Sequence, residues 1–446
     1  MNDGYKREIQ MPSTETDSHI IANRSDYDAV VVGASLGGCA TAILLGRAGA
    51  RVALVEKQPD PRAFKRVCSH FIQASAVPTL ERLGLLDPII AAGGLRSRIH
   101  AWTRWGWIEA PAEKAGYSVN LRRELLDPMI REAAASEPGV ELMLGRSAER
   151  LLKEDGAFRS VAVRDRDGEE TLLRAQVVVG ADGRDSTIAE LSGVSTKTLP
   201  HGRFAYGAYF EGALPEQAPD GTFWMLDPDW AAAFPTDSGL VFYAVMPTKD
   251  RLPEFKRDPE EALVSMLAGV PEAPPIRAGR RVSPVLGKVE MPNRVRTPIA
   301  PGLALVGDAA LATDPLFGVG CGWALQSGEW LADSIAPALA GEQSLQRGLG
   351  HYRRRHRKEL RGHAFLIHDY ATGRKLSGAE KRLFATAARD PRAAAIFDAF
   401  GTRQIRPARM FAEMTPRIVA ASARHAIAGR ASRPSESPPA PQAAKR

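Results

Sequence analysis

The sequence predicts an α/β protein in which a parallel βαβ unit carries an inserted antiparallel sheet and is followed by a helical C-terminal region. Residues 27–57 alternate between β-branched apolar runs and a run of helical composition, which is typical of a βαβ unit. Residues 199–283 are short strand-like runs between Pro, Gly and Asp turns, which favours antiparallel strands. Residues 345–428 have helical composition throughout.

Length and composition narrow the class of protein. With 446 residues, 44% of them hydrophobic, the chain can bury a sizeable core and is expected to form two or three domains. Its cysteines, Cys39, Cys68 and Cys321, provide neither a disulfide framework nor a Cys-x-x-Cys metal pair, so no metal site is predicted and a reducing cytoplasm is favoured. The first residues lack a signal-peptide core and no run approaches about 18 apolar residues, so we expect a loose leader and no transmembrane helix.

The first element ends in the loop "GASLGG", where the Gly-x-Gly-x-x-Gly template falls on Gly33, Ser35 and Gly38. Gly33 permits a tight turn, and the helix that begins near Leu36 offers unpaired N–H groups to a pyrophosphate. Glu56 ends the second strand and can accept hydrogen bonds from a ribose diol. This combination of strand, glycines, helix and acid predicts dinucleotide binding.

The elements between this unit and the inserted sheet alternate in type. Helical patterns at 74–92 and 121–136 precede strand patterns at 140–144, 158–166 and 171–180. The last of these strands runs into the loop "GADGRDST", in which an acid and a glycine follow the strand directly.

A similar loop appears after the insert, in "ALVGDAALATDPLFGVGCGW" at 304–323, before a further helix. A nicotinamide-dependent dehydrogenase needs neither of these later loops. The three ordered motifs, which span about 27–340, resemble the FAD-dependent monooxygenases of the p-hydroxybenzoate hydroxylase type. That superfamily also includes flavin halogenases and geranylgeranyl reductases.

The resemblance assigns roles to the loops. Asp182 lies near the pyrophosphate and ribityl region, Asp308 bonds the ribityl hydroxyls, and the backbone N–H groups of 318–322 face the N1–C2=O edge of the isoalloxazine. An arginine on the cofactor matches Arg123, with Arg122 as the competing assignment. The full set of expected cofactor residues is Gly33, Ser35, Gly38, Glu56, Lys57, Arg66, Arg123, Asp182, Gly307, Asp308, Gly318, Val319, Gly320, Cys321 and Gly322.

The resemblance also implies a reaction. FAD is reduced by NAD(P)H, either bound transiently to this chain or acting through a partner reductase. O₂ then gives a C4a-hydroperoxyflavin, which transfers one oxygen atom to a hydrophobic or aromatic small molecule. Leu311 and Gly322 stand where the family often has His and Asn, which leaves the subfamily open. Hydroxylation, epoxidation and Baeyer–Villiger insertion are all compatible with the motifs. The alternatives are a reductase of isoprenoid double bonds, a halogenase and an inactive FAD-binding scaffold.

Two stretches bear on these alternatives. In "WTRWGWIEAP", 102–111, the spacing departs from the W-x-W-x-I-P motif of flavin halogenases. Halogenases also need a lysine in the active site, and Lys65 is the only lysine between Lys57 and Lys114. In "FKRVCSHFIQAS", 64–75, Cys68 is expected either beside the flavin or as a small packing residue, and His70 either beside the flavin or as a surface or cap residue. A cysteine in this region also fits the geranylgeranyl reductase branch.

Residues expected near the flavin on the substrate side come from three segments. They are His70, Phe234, Pro235, Pro315 and Gly318. Further along the inserted strands, Tyr209, Trp224 and Tyr243 are either wall residues of the same chamber or simple sheet packing.

The domain boundaries are predicted from changes in composition and in the strand and helix patterns along the chain. They are 1–26 for the leader, 27–80, 119–198 and 284–340 for a discontinuous FAD-binding domain, 81–118 and 199–283 for the substrate domain, 341–430 for the helical region and 431–446 for a disordered tail. Residues 347–361 carry seven Arg and Lys against one Glu. That run is either a solvated helix face or a peripheral contact with an acidic partner such as a membrane surface; no nucleic-acid motif accompanies it.

Overall fold

The computed structural model describes residues 24–431. Most of the predicted leader, and the predicted tail from residue 432, lie outside the described residues. The first strand begins at Arg24, within the segment predicted as leader, where Arg24 pairs with Leu172 of a long partner strand.

The helices predicted at 74–92 and 121–136 are present, and the segment between them forms strands. The strands and helices of the described residues have the following bounds. The strands are β1 (Arg24–Val32), β2 (Val52–Glu56), β3 (Phe71–Ile72), β4 (Leu95–Ser97), β5 (Ile99–Thr103), β6 (Gly106–Ile108), β7 (Ser118–Asn120), β8 (Val140–Leu144), β9 (Ser147–Glu154), β10 (Ala157–Arg164), β11 (Glu170–Gly180), β12 (Thr196–Leu199), β13 (Ala205–Glu211), β14 (Gly221–Met225), β15 (Trp230–Pro235), β16 (Leu240–Val245), β17 (Arg280–Arg281), β18 (Leu286–Lys288), β19 (Asn293–Arg296), β20 (Ile299–Ala300), β21 (Leu303–Leu305) and β22 (Leu311–Ala312). The helices are α1 (Leu36–Arg47), α2 (Val77–Leu83), α3 (Leu86–Ala91), α4 (Arg123–Ala135), α5 (Thr187–Ser192), α6 (Leu252–Arg257), α7 (Pro259–Ala268), α8 (Gly320–Leu339), α9 (Leu345–Tyr370), α10 (Gly378–Ala387), α11 (Pro391–Gly401) and α12 (Pro407–Ala431).

The first sheet has the strand order β20–β21–β11–β1–β2–β8, with β10 and β9 continuing from β11. Strands β21, β11, β1, β2 and β8 pair in parallel, so their carboxyl ends share one edge. Core residues cover both faces of this sheet, which is why its strands are continuous apolar runs without alternation. Ligands of open α/β sheets bind at such a carboxyl edge.

Helices α1 and α8 pack together on one face of this sheet at close range. A Cβ added to Gly328 would lie 2.6 Å from the Gly37 carbonyl oxygen, so only glycine fits at this crossing. Small residues on α1 thus let α8 approach, and the N-termini of both helices come to the carboxyl edge of the sheet.

The second sheet has the order β17–β13–β16–β15–β14–β5–β6. Its pairs are antiparallel except β14 with β5, which confirms the predicted antiparallel insert and adds strands from before residue 118. Helices α6 and α7 pack on one face of this sheet. They interrupt a segment that was predicted as strands and turns.

The C-terminal region is helical, as predicted, from α9 through α12. Between residues 24 and 431, no helix combines the length and apolarity that a membrane crossing requires. The exact domain boundaries stay a prediction.

Candidate active site

Four of the predicted cofactor residues lie at the carboxyl edge of the first sheet. Gly33 follows β1, Glu56 ends β2, Asp182 follows β11 and Asp308 follows β21. Backbone hydrogen bonds of 2.7–2.9 Å continue the strand pairing into these loops. The parallel sheet therefore brings together residues that are far apart in the chain.

The glycine loop after β1 packs so closely against neighbouring backbone that it has no room for side chains at two positions. Gly33 has φ +106°, and a Cβ there would lie 2.6 Å from the carbonyl oxygen of Ala181. A Cβ on Gly38 would lie 1.8 Å from the Gly33 carbonyl oxygen. Ser35 precedes α1 without capping it, so the first N–H groups of this helix have neither an intrahelical partner nor a side-chain cap. Such a helix start fits a pyrophosphate.

Glu56 braces this loop from the neighbouring strand. Its Oε2 accepts a hydrogen bond from the Ala34 N–H at 2.9 Å, and its Oε1 accepts one from the Gln58 N–H at 2.9 Å. A carboxylate oxygen has lone pairs for further donors, so a ribose diol can still be accepted. Lys57, the next residue, is exposed.

Asp182 is occupied by its own loop. Its Oδ1 accepts from the Ser186 hydroxyl at 2.5 Å, and its Oδ2 accepts from the Ile188 N–H at 3.0 Å. Ser186 in turn caps α5. The carboxylate therefore shapes the turn that packs against Gly33, and any contact with the cofactor would be additional.

Asp308 faces segment 57–70, which follows β2 and crosses the carboxyl edge of the first sheet. Lys65 Nζ lies 3.5 Å from Asp308 Oδ2, and this carboxylate is the main reason that the pKa of Lys65 is raised. The Asp308 side chain is 21% exposed and that of Lys65 is 55% exposed. Arg66, the neighbour of Lys65, is exposed. Lys65 thus spans the groove in which the ribityl chain is expected.

The glycine loop before α8 turns sharply toward the second sheet. Pro315 opens a single 3-10 turn, and Gly318 follows with φ +62°. A Cβ on Gly318 would lie 3.3 Å from Cδ1 of Phe71. Helix α8 then starts at Gly320, after Val319, without a side-chain cap. Its open N–H groups favour a negative charge at this position, as the anionic edge of a reduced flavin requires.

The structure separates the two adjacent arginines. Arg123 is 2% exposed; its Nη2 donates to the Ser35 hydroxyl at 2.9 Å and pairs with Asp127 at 2.6 Å. Arg122 points the other way and pairs with Asp237 of the second sheet at 2.7 Å. Arg123 therefore lies beside the glycine loop, and Arg122 ties the start of α4 to the turn between β15 and β16.

His70 lies between Arg123 and the second sheet. It is 2% exposed, its φ is +61°, and its Nδ1 accepts a hydrogen bond from the Arg123 N–H at 2.9 Å. Its Nε2 contacts the Tyr209 hydroxyl. Burial lowers the pKa of His70 to about 4, and burial likewise raises the pKa of Tyr209, so both groups are uncharged near neutral pH.

Aromatic side chains of the second sheet face this pair. Phe234 and Phe242 cluster with Phe71, and the rings of Phe71 and Phe234 are 5.7 Å apart. Asn120 donates to the Pro235 carbonyl oxygen at 2.7 Å, which anchors the end of β15 beside the site. These residues form a buried aromatic cluster, with Phe223 partly buried at its side.

Two predicted wall residues lie elsewhere. Trp224 and Tyr243 are fully buried on the opposite face of the second sheet, against α6 and α7. Their polar atoms bond to the carbonyl oxygens of Pro271 and Ala213. They are packing residues because successive side chains of a strand point to opposite faces.

Several participants were missed from the sequence. Asp127 follows Arg123 by four residues on α4, a spacing that indicates a helical ion pair and could have been found. Asp314 caps the Pro315 turn and pairs with His201 at 2.6 Å, and no sequence pattern indicates this contact. Cys68 and Cys321 have their sulfur atoms 3.6 Å apart, although they are distant in sequence.

The described residues fit an FAD molecule by their own geometry: two helix starts without a side-chain cap, glycines at which a Cβ would clash with neighbouring backbone, and acids at the ends of β2 and β21. The comparison with protein families agrees. A family model described as an FAD binding domain matches residues 26–361, which is most of the chain. The chain belongs to the FAD-binding domain family. It is therefore a flavoprotein with FAD as its cofactor, and the predicted superfamily and fold are confirmed.

Relatives within and around this family differ in reaction. Digeranylgeranylglycerophospholipid reductase of Picrophilus torridus is 26% identical over 346 residues, which cover 74% of this chain and 82% of the relative. Aklavinone 12-hydroxylase of Streptomyces peucetius is 28% identical over 352 residues, covering 72% of this chain and 69% of the relative. The flavin-dependent brominase Bmp2 shares the fold, with a TM-score of 0.73 at 20% identity over 85% of this chain and 94% of that one. Family membership makes this chain a flavin-dependent oxidoreductase.

The basic run of 347–361 lies on α9, away from these loops. Arg354, Arg357, Lys358 and Arg361 line an open cavity of about 570 Å³ together with Phe365, which is 69% exposed. Across residues 24–431, no acidic partner within 4.0 Å is recorded for these four cations. A peripheral contact through this face stays a prediction.

Proposed function

We propose that the protein is an NAD(P)H-dependent monooxygenase that transfers one oxygen atom of O₂ to a flat, largely apolar aromatic molecule. Bound FAD would supply the redox chemistry: it takes electrons from the nicotinamide and activates O₂. The residues of the chain bind, orient and shield the reactants.

The observation that carries the proposal is the aromatic cluster next to the flavin loop, which would form the wall of a substrate chamber. Phe71 lies beside Gly318, and Phe234 and Phe242 continue the wall from the second sheet. Aromatic rings stack on or against one another at such distances and exclude water. Exclusion of water protects reactive oxygen species from unproductive breakdown, which a monooxygenase needs more than a reductase does.

His70 and Tyr209 give this chamber a polar end. Because Nδ1 of His70 accepts from the Arg123 N–H, the proton of the neutral imidazole is on Nε2, which donates toward the Tyr209 oxygen. Tyr209 then keeps its own proton to donate to a phenol or carbonyl oxygen of the substrate. Both residues orient the substrate in this proposal.

Binding of FAD would rest on Gly33, Ser35 and Gly38 at the pyrophosphate, Glu56 at the ribose, Asp308 at the ribityl chain and the start of α8 at the isoalloxazine. Arg123 would hold Ser35 and the loop around it in place. Lys57 and Arg66, both exposed, would contact the cofactor only from the open side of the groove.

A second candidate function, reduction of isoprenoid double bonds, is favoured by the 26% identity to the reductase of Picrophilus torridus and by Cys68 in the site. Bromination or chlorination is supported by the fold alone.

One experiment separates these reactions. The purified holoprotein is incubated with NADH or NADPH and a panel of aromatic phenols and quinones under ¹⁸O₂, under argon, and with or without bromide. A monooxygenase forms product with one ¹⁸O atom and only in oxygen. Product formed under argon would establish a reductase, strict bromide dependence a halogenase, and a lack of NAD(P)H oxidation with every member of the panel would refute the monooxygenase.

A further inference from the structure

Two of the three cysteines are in contact at the edge of the cofactor groove. The sulfur atoms of Cys68 and Cys321 are 3.6 Å apart. Cys68 belongs to the segment 57–70, which crosses the carboxyl edge, and Cys321 lies in the first turn of α8. The third cysteine, Cys39, is fully buried on α1 and makes no contact with this pair that the structure records.

Donors surround the two sulfur atoms. The His70 N–H donates to Cys68 Sγ at 3.3 Å, and Nη1 of Arg123 lies 3.7 Å from each sulfur. The contact with Cys321 lowers the pKa of Cys68, burial opposes this, and the Arg123 guanidinium lowers it further. The pKa of Cys321 is raised by the contact with Cys68 and by burial. Two sulfur atoms in contact beside a guanidinium are the arrangement for thiol oxidation in two steps, with Cys68 as the thiol whose pKa is lowered.

We propose that Cys68 and Cys321 form a redox-active dithiol, which a hydroperoxide oxidises to a disulfide that ties segment 57–70 to α8. In the first step the Cys68 thiolate attacks hydrogen peroxide; an S–O bond forms, the O–O bond breaks, and hydroxide leaves as water after taking a proton. In the second step the Cys321 thiol loses its proton and its sulfur attacks Cys68; the S–S bond forms and the S–O bond breaks. The released hydroxide takes the proton of Cys321 and leaves as water, so two thiols and one peroxide give one disulfide and two waters.

The disulfide would close the cofactor groove, because segment 57–70 covers the expected position of the ribityl chain. Lys65 of this segment reaches Asp308 across the expected ribityl position. With Cys68 bound to α8, the segment cannot move away, so FAD enters and leaves more slowly. This inference goes beyond the proposed oxygen transfer and holds whichever flavin reaction the protein performs, since the peroxide can come from solution.

The first test uses the full-length holoprotein treated with one equivalent of hydrogen peroxide. Thiols titrated after denaturation fall from the three of the sequence to one, that of Cys39, and dithiothreitol restores them. A non-reducing digest yields a peptide that links residues 68 and 321. Retention of all three thiols, or a Cys68 sulfinic acid without the linked peptide, overturns the proposal.

Matched variants assign the roles. Cys39→Ser forms the same linked peptide, while Cys321→Ser stops at a sulfenic acid on Cys68 that dimedone traps. Cys68→Ser loses no thiol to peroxide. Because the wild-type result needs no variant, a variant that fails to fold does not affect the test.

A second measurement follows FAD release by the recovery of flavin fluorescence on dilution of the holoprotein. Release from the bridged protein is slower by about tenfold or more, because a cross-link removes the open states through which a segment admits a ligand. Equal release rates before and after oxidation would refute the closure of the groove, even where the disulfide forms.

Discussion

The backbone N–H of Arg123 donates a hydrogen bond to Nδ1 of His70 over 2.9 Å. The same arginine reaches the Ser35 hydroxyl with its side chain. One residue at the start of α4 therefore positions the glycine loop of the cofactor groove and fixes the tautomer of the histidine that faces the aromatic cluster.

The acid stability of the protein is expected to depend on His70. Its pKa is lowered to about 4 in the folded protein, against about 6.5 for an unperturbed histidine. The unfolded chain binds the proton first as pH falls, so the contribution is complete above pH 6.5 and is lost as pH falls toward 4. His70→Asn should flatten the pH dependence of the free energy of unfolding by about 2 kcal/mol between pH 7 and pH 5.

The measurement is urea denaturation of both proteins at several pH values. Asn tolerates positive φ and offers a side-chain oxygen to the Arg123 N–H, so the fold is retained. The other buried histidines are common to both proteins and cancel in the difference. Parallel curves for the two proteins would contradict the lowered pKa.

Removal of the Tyr209 hydroxyl should leave Nε2–H of His70 without its acceptor. A buried donor without a partner costs about 1–3 kcal/mol. Tyr209→Phe is therefore expected to lower the free energy of unfolding by that amount. Tyr206→Phe on the same strand is the control, because no hydrogen bond of its hydroxyl is recorded among the described residues, and a loss of equal size in both variants would count against the His70–Tyr209 bond.

Asp308→Ala should reduce FAD affinity by about ten- to hundredfold, since a hydrogen bond to a charged group contributes about 1.5–3 kcal/mol. Titration of apoprotein with FAD measures it. Lys65→Met is the control, because it removes the partner of Asp308 and retains the carboxylate. If both variants lost affinity equally, the effect of Asp308 would act through Lys65, and a direct ribityl contact would be refuted.

Gly318→Ala should uncouple NAD(P)H oxidation from product formation and raise the H₂O₂ yield. The added Cβ meets Phe71 at 3.3 Å, and φ +62° disfavours side chains by about 1–2 kcal/mol. Gly341→Ala, just beyond the far end of α8, is the control, because its φ of +82° is also positive and its Cβ would meet no atom within 4 Å. Peroxide yield and product are measured in the same reaction; unchanged coupling in Gly318→Ala, or equal uncoupling in both, would place the chamber elsewhere.

The fold and the groove could be predicted because their residues stand at strand ends with fixed spacing. Gly33, Glu56, Asp182 and Asp308 each follow or end an apolar run, and the parallel pairing of those runs is enough to bring them to one edge. The type and order of the strands and helices are enough to predict which residues meet at this edge, without knowledge of any side-chain contact.

The other site residues depend on orientation, which composition does not encode. Arg122 and Arg123 are neighbours of the same type, and only the start of α4 decides which one faces the glycine loop. Trp224 and Tyr243 differ from chamber residues by one position along a strand, so their side depends on register. The contact of Cys68 with Cys321 depends on how a loop crosses the sheet edge.

The strands of the first sheet do not lie side by side in the order in which the ribosome makes them. Val30 pairs with Val178, and Val178 pairs with Leu303, so β1 waits for β11 from the middle of the described chain and β11 waits for β21 from its last third. The groove cannot close on the ribosome until α8 has emerged. Until β21 is made, the apolar edge of β11 is exposed, and a truncated product that ends before β21 should aggregate and bind no flavin.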